Sequence, residues 1–198
     1  LVLLAIAGEG ILVALALVLA RWRGISLEIG SLTSGFVVGC VAAAGLVLAN
    51  FYLLCRAPAV GPIQSIRRLY TETLKPLFGS VGMSAIVLIS VAAGLGEELL
   101  FRGVLQVEIG LVPASVIFGV AHIGGGGTLA FVCWAGMMGA LLGALAVWTD
   151  GLAASIVAHT VYDAAAMIYI RWGRECSAVA VKGETIEVGP ERSEVGKA

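Results

Sequence analysis

Ionisable residues inside apolar sequence are expensive to keep there, so their types and spacings are the first guide to chemistry. Glu97, Glu98 and Arg102 fall within Gly96-Glu97-Glu98-Leu99-Leu100-Phe101-Arg102-Gly103. On a helix Glu98 and Arg102 form an i,i+4 pair on one face, while Glu97 points about 100° away. Arg102 is then expected to neutralise Glu98 and to leave Glu97 less compensated, which makes Glu97 the candidate general base. Phe118-Gly119-Val120-Ala121-His122 and His159-Thr160-Val161-Tyr162-Asp163 each place a histidine one turn from a partner. At that spacing Asp163 is expected to orient His159 or share its proton. Each group also has a structural reading: a helix-end salt bridge, a packed histidine, a polar pair joining helices. Together, a carboxylate base beside two imidazoles suits amide hydrolysis, which needs a deprotonated water and donors for an oxyanion. Serine and cysteine nucleophiles and nucleotide chemistry are not expected, because no Gly-x-Ser-x-Gly elbow and no lysine-bearing phosphate loop is present.

The elements that must position these residues follow from the gaps between charges. Apolar stretches long enough for a membrane crossing, about 20 helical residues, occur at 1–20, 31–55, 77–107, 128–149 and 151–171. No formal charge separates Glu108 from Asp150, a run of 41 residues. That run must fold back, since it would make about 60 Å of helix. The break is expected at Gly124 to Gly127, after a short or partial span from Ile109 to Ile123, and such a break at membrane depth suggests a cavity. Leu1 to Ala20 is expected to be a first span rather than a signal peptide, with Arg21 and Arg23 as a stop-transfer flank. The missing initial methionine leads to the expectation that an N-terminal piece has been left out.

Composition points the same way. Of 198 residues, 60% are hydrophobic and 13% charged, against roughly 45–50% and 25% in soluble domains. The expected fold is all-α, a polytopic transmembrane helix bundle of about six membrane segments with one short or interrupted helix. The expected division is 1–76, two transmembrane helices and a basic juxtamembrane linker; 77–172, a catalytic membrane core; and 173–198, a polar tail. The linker carries Arg56, Arg67, Arg68 and Lys75, and its helical middle is expected to lie along the membrane surface. Six passes put these residues with Arg171 and Arg174 on one side and Arg21 and Arg23 on the other, so both termini are expected in the cytoplasm. Five passes would move the tail across. A net charge of -1 argues against a nucleic-acid partner. Cys40, Cys55, Cys133 and Cys176 show no zinc or redox spacing and are read as reduced packing residues.

Depth links the three motifs. Five charges and both histidines lie within the spans: Glu9, Glu97, Glu98, Arg102 and Asp163, with His122 and His159. If successive helices alternate in direction, Glu97, His122 and His159 lie roughly 12–20 Å below one membrane face. They are expected to meet in one water-accessible pocket that opens laterally toward lipid. A proton-coupled carrier, or a non-catalytic chaperone or immunity protein on the same scaffold, would use a similar composition.

Glu-Glu-x-x-x-Arg at Glu97, Glu98 and Arg102, Phe-x-x-x-His at Phe118 and His122, and His-x-x-x-Asp at His159 and Asp163 resemble, in order and spacing, the motifs of the CAAX protease and bacteriocin-processing family (CPBP, also called Abi). The resemblance covers roughly Gly79 to Trp172. It implies an intramembrane endopeptidase of a cell (cytoplasmic) membrane, acting on a membrane-associated peptide or protein, with Glu97 activating the water and His122 and His159 in the catalytic pocket. The last motif residue is often Asn in that family; an ionised Asp163 cannot donate to an oxyanion, so orienting His159 is its expected role. Family members are described both as metalloproteases and as glutamate-dependent proteases. Zinc, if present, would be held by Glu97, His122 and His159, but a glutamate-activated water with no obligatory metal is the expectation.

Overall fold

The computed structural model describes residues 2–123 and 129–173. The turn expected at Gly124 to Gly127, together with Arg174, Cys176 and the polar tail, lies outside the described residues. The elements are α1 (Val2–Arg23), α2 (Leu32–Cys55), α3 (Gly61–Arg68), α4 (Lys75–Phe78), α5 (Met83–Leu100), α6 (Gln106–Ile109), α7 (Leu111–Ala121), α8 (Leu129–Trp148) and α9 (Ala153–Trp172). A π-helical turn, Leu69–Leu74, joins α3 to α4, and a second, Phe101–Leu105, joins α5 to α6. No strand occurs among the described residues. Five helices, counting Met83–Ile109 as one, are long and apolar enough to cross a membrane, and α7 is a shorter apolar helix. The chain is an integral, multi-pass membrane protein.

The spans match the charge gaps closely, with two adjustments. The third span starts at Met83 rather than Leu77, because the Gly79–Gly82 turn, poor in helix formers, separates it from α4. The short segment is Leu111–Ala121, 11 residues, about 16 Å of helix and so half a crossing. It starts sharply because Gly110 takes φ 88°, a backbone open to glycine and strained for other residues.

Contacts at the two ends of the bundle give the helix directions. At one end Arg23 pairs with Glu108 at 2.8 Å, and the first N–H groups before and at the start of α9, Leu152 and Ala153, donate to the carbonyls of Glu28 and Ile29 at 3.0 and 2.9 Å. At the other end Val2 and Ala5 pack with Val81, Ile86 and Met167, and Arg171 donates to the carbonyl of Val81. That second end also carries Arg56, Arg67, Arg68 and Lys75. Both described ends of the chain therefore lie at the basic end.

Close packing of α2 on α9 runs through Gly35, Gly39 and Ala43, all buried. A Cβ at Gly39 would stand 2.7 Å from both the Ala154 carbonyl oxygen and Val157 Cβ. Small residues at four-residue spacing let two backbones approach this closely where no hydrophobic drive separates protein from lipid.

The basic linker is anchored to the end of α2. Arg67 is buried, and its Nη2 donates to the carbonyls of Leu53 and Ala57 at 3.1 and 2.6 Å. It thus serves the carbonyls left open at the C-terminal end of α2, and the apolar residues beside it turn inward. Cys40 and Cys133 are free thiols, but Cys55 is disulfide-bonded. The expectation of reduced packing cysteines is corrected at Cys55, the last residue of α2, which also packs against Leu54, Tyr70 and Ile170.

Candidate active site

α5, α7 and α9 meet at mid-bundle, and the long helix puts its two adjacent carboxylates into different surroundings. Glu98 is fully buried and Arg102 is 2% exposed at its side chain, with Arg102 Nη1 2.9 Å from Glu98 Oε1. Arg102 Nη2 donates to the Gly139 carbonyl of α8 at 3.2 Å, and its guanidinium lies over the Phe118 ring, 4.2 Å from the centroid. His159 Nδ1–H donates to the same Glu98 oxygen at 2.8 Å. One carboxylate thus joins α5, α9 and, through Arg102, α8.

Arg102 lies in the π-helical turn Phe101–Leu105, whose bonds run five residues, as from Gln106 N–H to the Phe101 carbonyl. π-helical turns inside α-helices often mark functional sites. Nothing in the local sequence announces this one.

Glu97 faces the other way. Its side chain is 15% exposed, and its Oε2 stands 3.9 Å from His122 Nε2 and 3.9 Å from His159 Nε2. Both rings are held from behind. His122 Nδ1–H donates to the Phe118 carbonyl at 2.7 Å, as the end of the half-crossing helix allows, and His159 is held by Glu98. Each imidazole therefore turns its Nε2 toward Glu97. Asp163 Oδ2 is 3.6 Å from His159 Nε2, beyond hydrogen-bond range. The orienting bond expected from Asp163 is made by Glu98 instead, because Nδ1 faces α5 while Nε2 and Asp163 share the open side.

A cavity of about 370 Å³ holds this open side. Glu97, His122, His159 and Asp163 line it, together with Glu9 of α1, while aromatic walls come from Phe118, Phe131, Trp134 and Tyr162. From Glu97 it continues to Leu54, Ile66, Leu69, Leu74 and Phe78. It runs toward the basic end of the bundle, beneath segment 61–78. Trp134 Nε1–H donates to the Tyr162 hydroxyl at 3.4 Å, tying α8 to α9 across the cavity wall.

All six candidate residues, Glu97, Glu98, Arg102, His122, His159 and Asp163, are thus brought to one place, in two groups. Glu9 is a seventh ionisable residue here. Its position in an apolar helix marks it as costly, but its partners are set by the packing of α1 on α5. Among the described residues no three His, Cys, Asp or Glu side chains form a group at metal-holding geometry.

Comparison with known proteins agrees with the motifs. Residues 79–165, somewhat under half of the chain, match the model of the type II CAAX prenyl endopeptidase Rce1-like family. A curated relative, the uncharacterized protein YpbD of Bacillus subtilis (strain 168), is 33% identical over 98 residues, covering 50% of this chain. The chain matches about half of that relative's own length, 52%. No solved structure matches the chain. Through residues 79–165, which contain Glu97, Glu98, Arg102, His122, His159 and Asp163, the chain is similar to the Rce1-like type II CAAX prenyl endopeptidase family.

Proposed function

We propose that the protein is an intramembrane endopeptidase that hydrolyses a peptide bond of a membrane-associated peptide or protein with a water activated by Glu97. The observation that carries this reading is the placement of Glu97 Oε2 at 3.9 Å from both histidine Nε2 atoms, beside an otherwise largely apolar cavity. A water within hydrogen-bond reach, about 2.6–3.2 Å, can bridge Glu97 and either imidazole. Glu97 removes its proton as the oxygen attacks the substrate carbonyl, and then returns that proton to the departing amine. An imidazole protonated at Nε2 donates to the carbonyl oxygen as it becomes an oxyanion; an unprotonated one accepts from the water. Glu98 keeps His159 in register through Nδ1, Arg102 neutralises Glu98, and Asp163 adds negative charge beside Nε2.

Zinc would be held by Glu97, His122 and His159, where it would polarise the water. The residues as placed fit that group less well than water. Donor atoms of a tetrahedral zinc with bonds of about 2.1 Å lie about 3.4 Å apart, whereas Glu97 Oε2 is 3.9 Å from each imidazole nitrogen. The reading therefore needs no obligatory metal. By the positive-inside rule, the basic end toward which the cavity runs faces the cytoplasm, so substrate reaches Glu97 from that side, at the cell membrane.

The test is peptide cleavage by full-length protein in lipid bilayers, wild type against Glu97→Gln. Gln keeps the shape of Glu but cannot take the proton. Near-native turnover by a folded Glu97→Gln protein on a verified substrate overturns the assignment.

A further inference from the structure

Glu9 is the one charged residue of α1 before Arg21, and α1 lies outside the segment that matches the family. It packs against the residue preceding the proposed base. A Cβ at Gly96 would stand 2.7 Å from Glu9 Oε2 and 2.9 Å from the Glu9 carbonyl oxygen, so the missing side chain at 96 is what admits Glu9 to this position. The carboxylate lines the cavity and lies in electrostatic reach of Glu97, His159 and Asp163. Its Oε2 is shielded from solvent and has no hydrogen-bond partner among the described residues.

Among the described residues, the cavity lining contains three carboxylates, Glu9, Glu97 and Asp163, and two imidazoles, but neither lysine nor arginine. The nearby guanidinium of Arg102 is committed to Glu98 and the Gly139 carbonyl behind the cavity. A peptide segment bringing a cation would be welcomed. One ending there in a free carboxylate would add a fourth carboxylate, with no lysine or arginine among the described lining residues to meet it. The walls suit a basic side chain, since aromatic residues such as Phe131, Trp134 and Tyr162 in the lining can pack a methylene stem and attract a charged head.

We propose that Glu9 is a specificity-determining residue that selects substrates with a lysine or arginine side chain near the scissile bond, its carboxylate receiving the cation within the cavity. This rests on the endopeptidase reading above and deepens it by naming the substrate class.

The test uses full-length protein in lipid nanodiscs and a membrane-anchored peptide series in which one residue near the cleavage site is Lys, Gln or Glu, the position being scanned. Wild type is expected to favour Lys over Gln by about tenfold in kcat/KM, with Glu the poorest. Glu9→Gln, whose side chain keeps the shape, should bring the Lys-to-Gln ratio close to one, and Glu9→Asp should leave an intermediate ratio. Binding of the same labelled peptides to the Glu97→Gln protein reads the preference without turnover and should show Lys bound about tenfold more tightly, a difference worth about 1.4 kcal/mol. Equal binding of Lys and Gln peptides, or a ratio unchanged by Glu9→Gln with rates falling alike on every peptide, overturns the proposal. If no peptide is cleaved while Lys peptides still bind preferentially, the endopeptidase reading fails and the cation selectivity stands.

Discussion

Glu97 and Glu98 are chain neighbours at one membrane depth, yet their surroundings are opposite. Glu98 is closed in: Arg102 at 2.9 Å and His159 at 2.8 Å share one of its oxygens, and no solvent reaches it. Glu97 borders a cavity, faces two imidazoles at 3.9 Å and has no bonded cation. A charge at mid-membrane costs several kcal/mol unless it is paired or hydrated, and the helix uses both remedies within two residues. The paired side fixes α5, α8 and α9 relative to one another, and the cavity side is left with reactive capacity. Neither side works alone, because His159 belongs to both.

This contrast can be broken experimentally, beginning on the cavity side. Glu97→Gln should lower kcat/KM about 10²- to 10⁴-fold, the range for loss of a general base, with an unchanged thermal unfolding profile. A matching loss of folded protein would move Glu97 to the structural side. Arg102→Ala should do the reverse, costing about 3–5 kcal/mol because it leaves a buried carboxylate unpaired, as read by denaturant unfolding in detergent. Unaltered stability would mean that the Arg102–Glu98 pair does not hold the helices.

Smaller effects sharpen the division. Asp163→Asn should keep activity within about tenfold of wild type, since His159 is oriented through Nδ1 by Glu98 and its Asp163 neighbour stands 3.6 Å from the other nitrogen. A loss as large as that of Glu97→Gln would return the orienting role to Asp163. Exhaustive chelation, the mildest perturbation, should leave turnover unchanged. Activity lost with one zinc per chain and regained on its return would make Glu97 a ligand instead of a base.

The local features were readable because helical geometry is periodic. Spans followed from charge gaps, and the Glu98–Arg102 pair followed from a four-residue spacing within one helix. His122 and Glu97 were legible as partners only through a depth argument, which compares helices by distance from their ends and says nothing about rotation about their axes. The bond from His159 to Glu98 crosses 61 residues of sequence and depends on that rotation. For this reason the plausible local partner, Asp163, stood in its place. Glu9 was visible as a costly charge, but its companions were not, since they depend on how closely α1 approaches Gly96.

The amino-acid sequence alone determined that this chain lives in lipid, how many helical segments it makes, and which few ionisable side chains its apolar helices carry, because apolar length, charge gaps and helical spacing are local quantities. Only the tertiary structure decided that Glu98 rather than Asp163 holds His159, that segment 61–78 turns its apolar side to the cavity while Arg67 serves the end of α2, and that the cavity runs toward the basic end. These outcomes rest on the packing of distant helices, where an approach closer by one missing Cβ, as at Gly39 or Gly96, selects which faces meet.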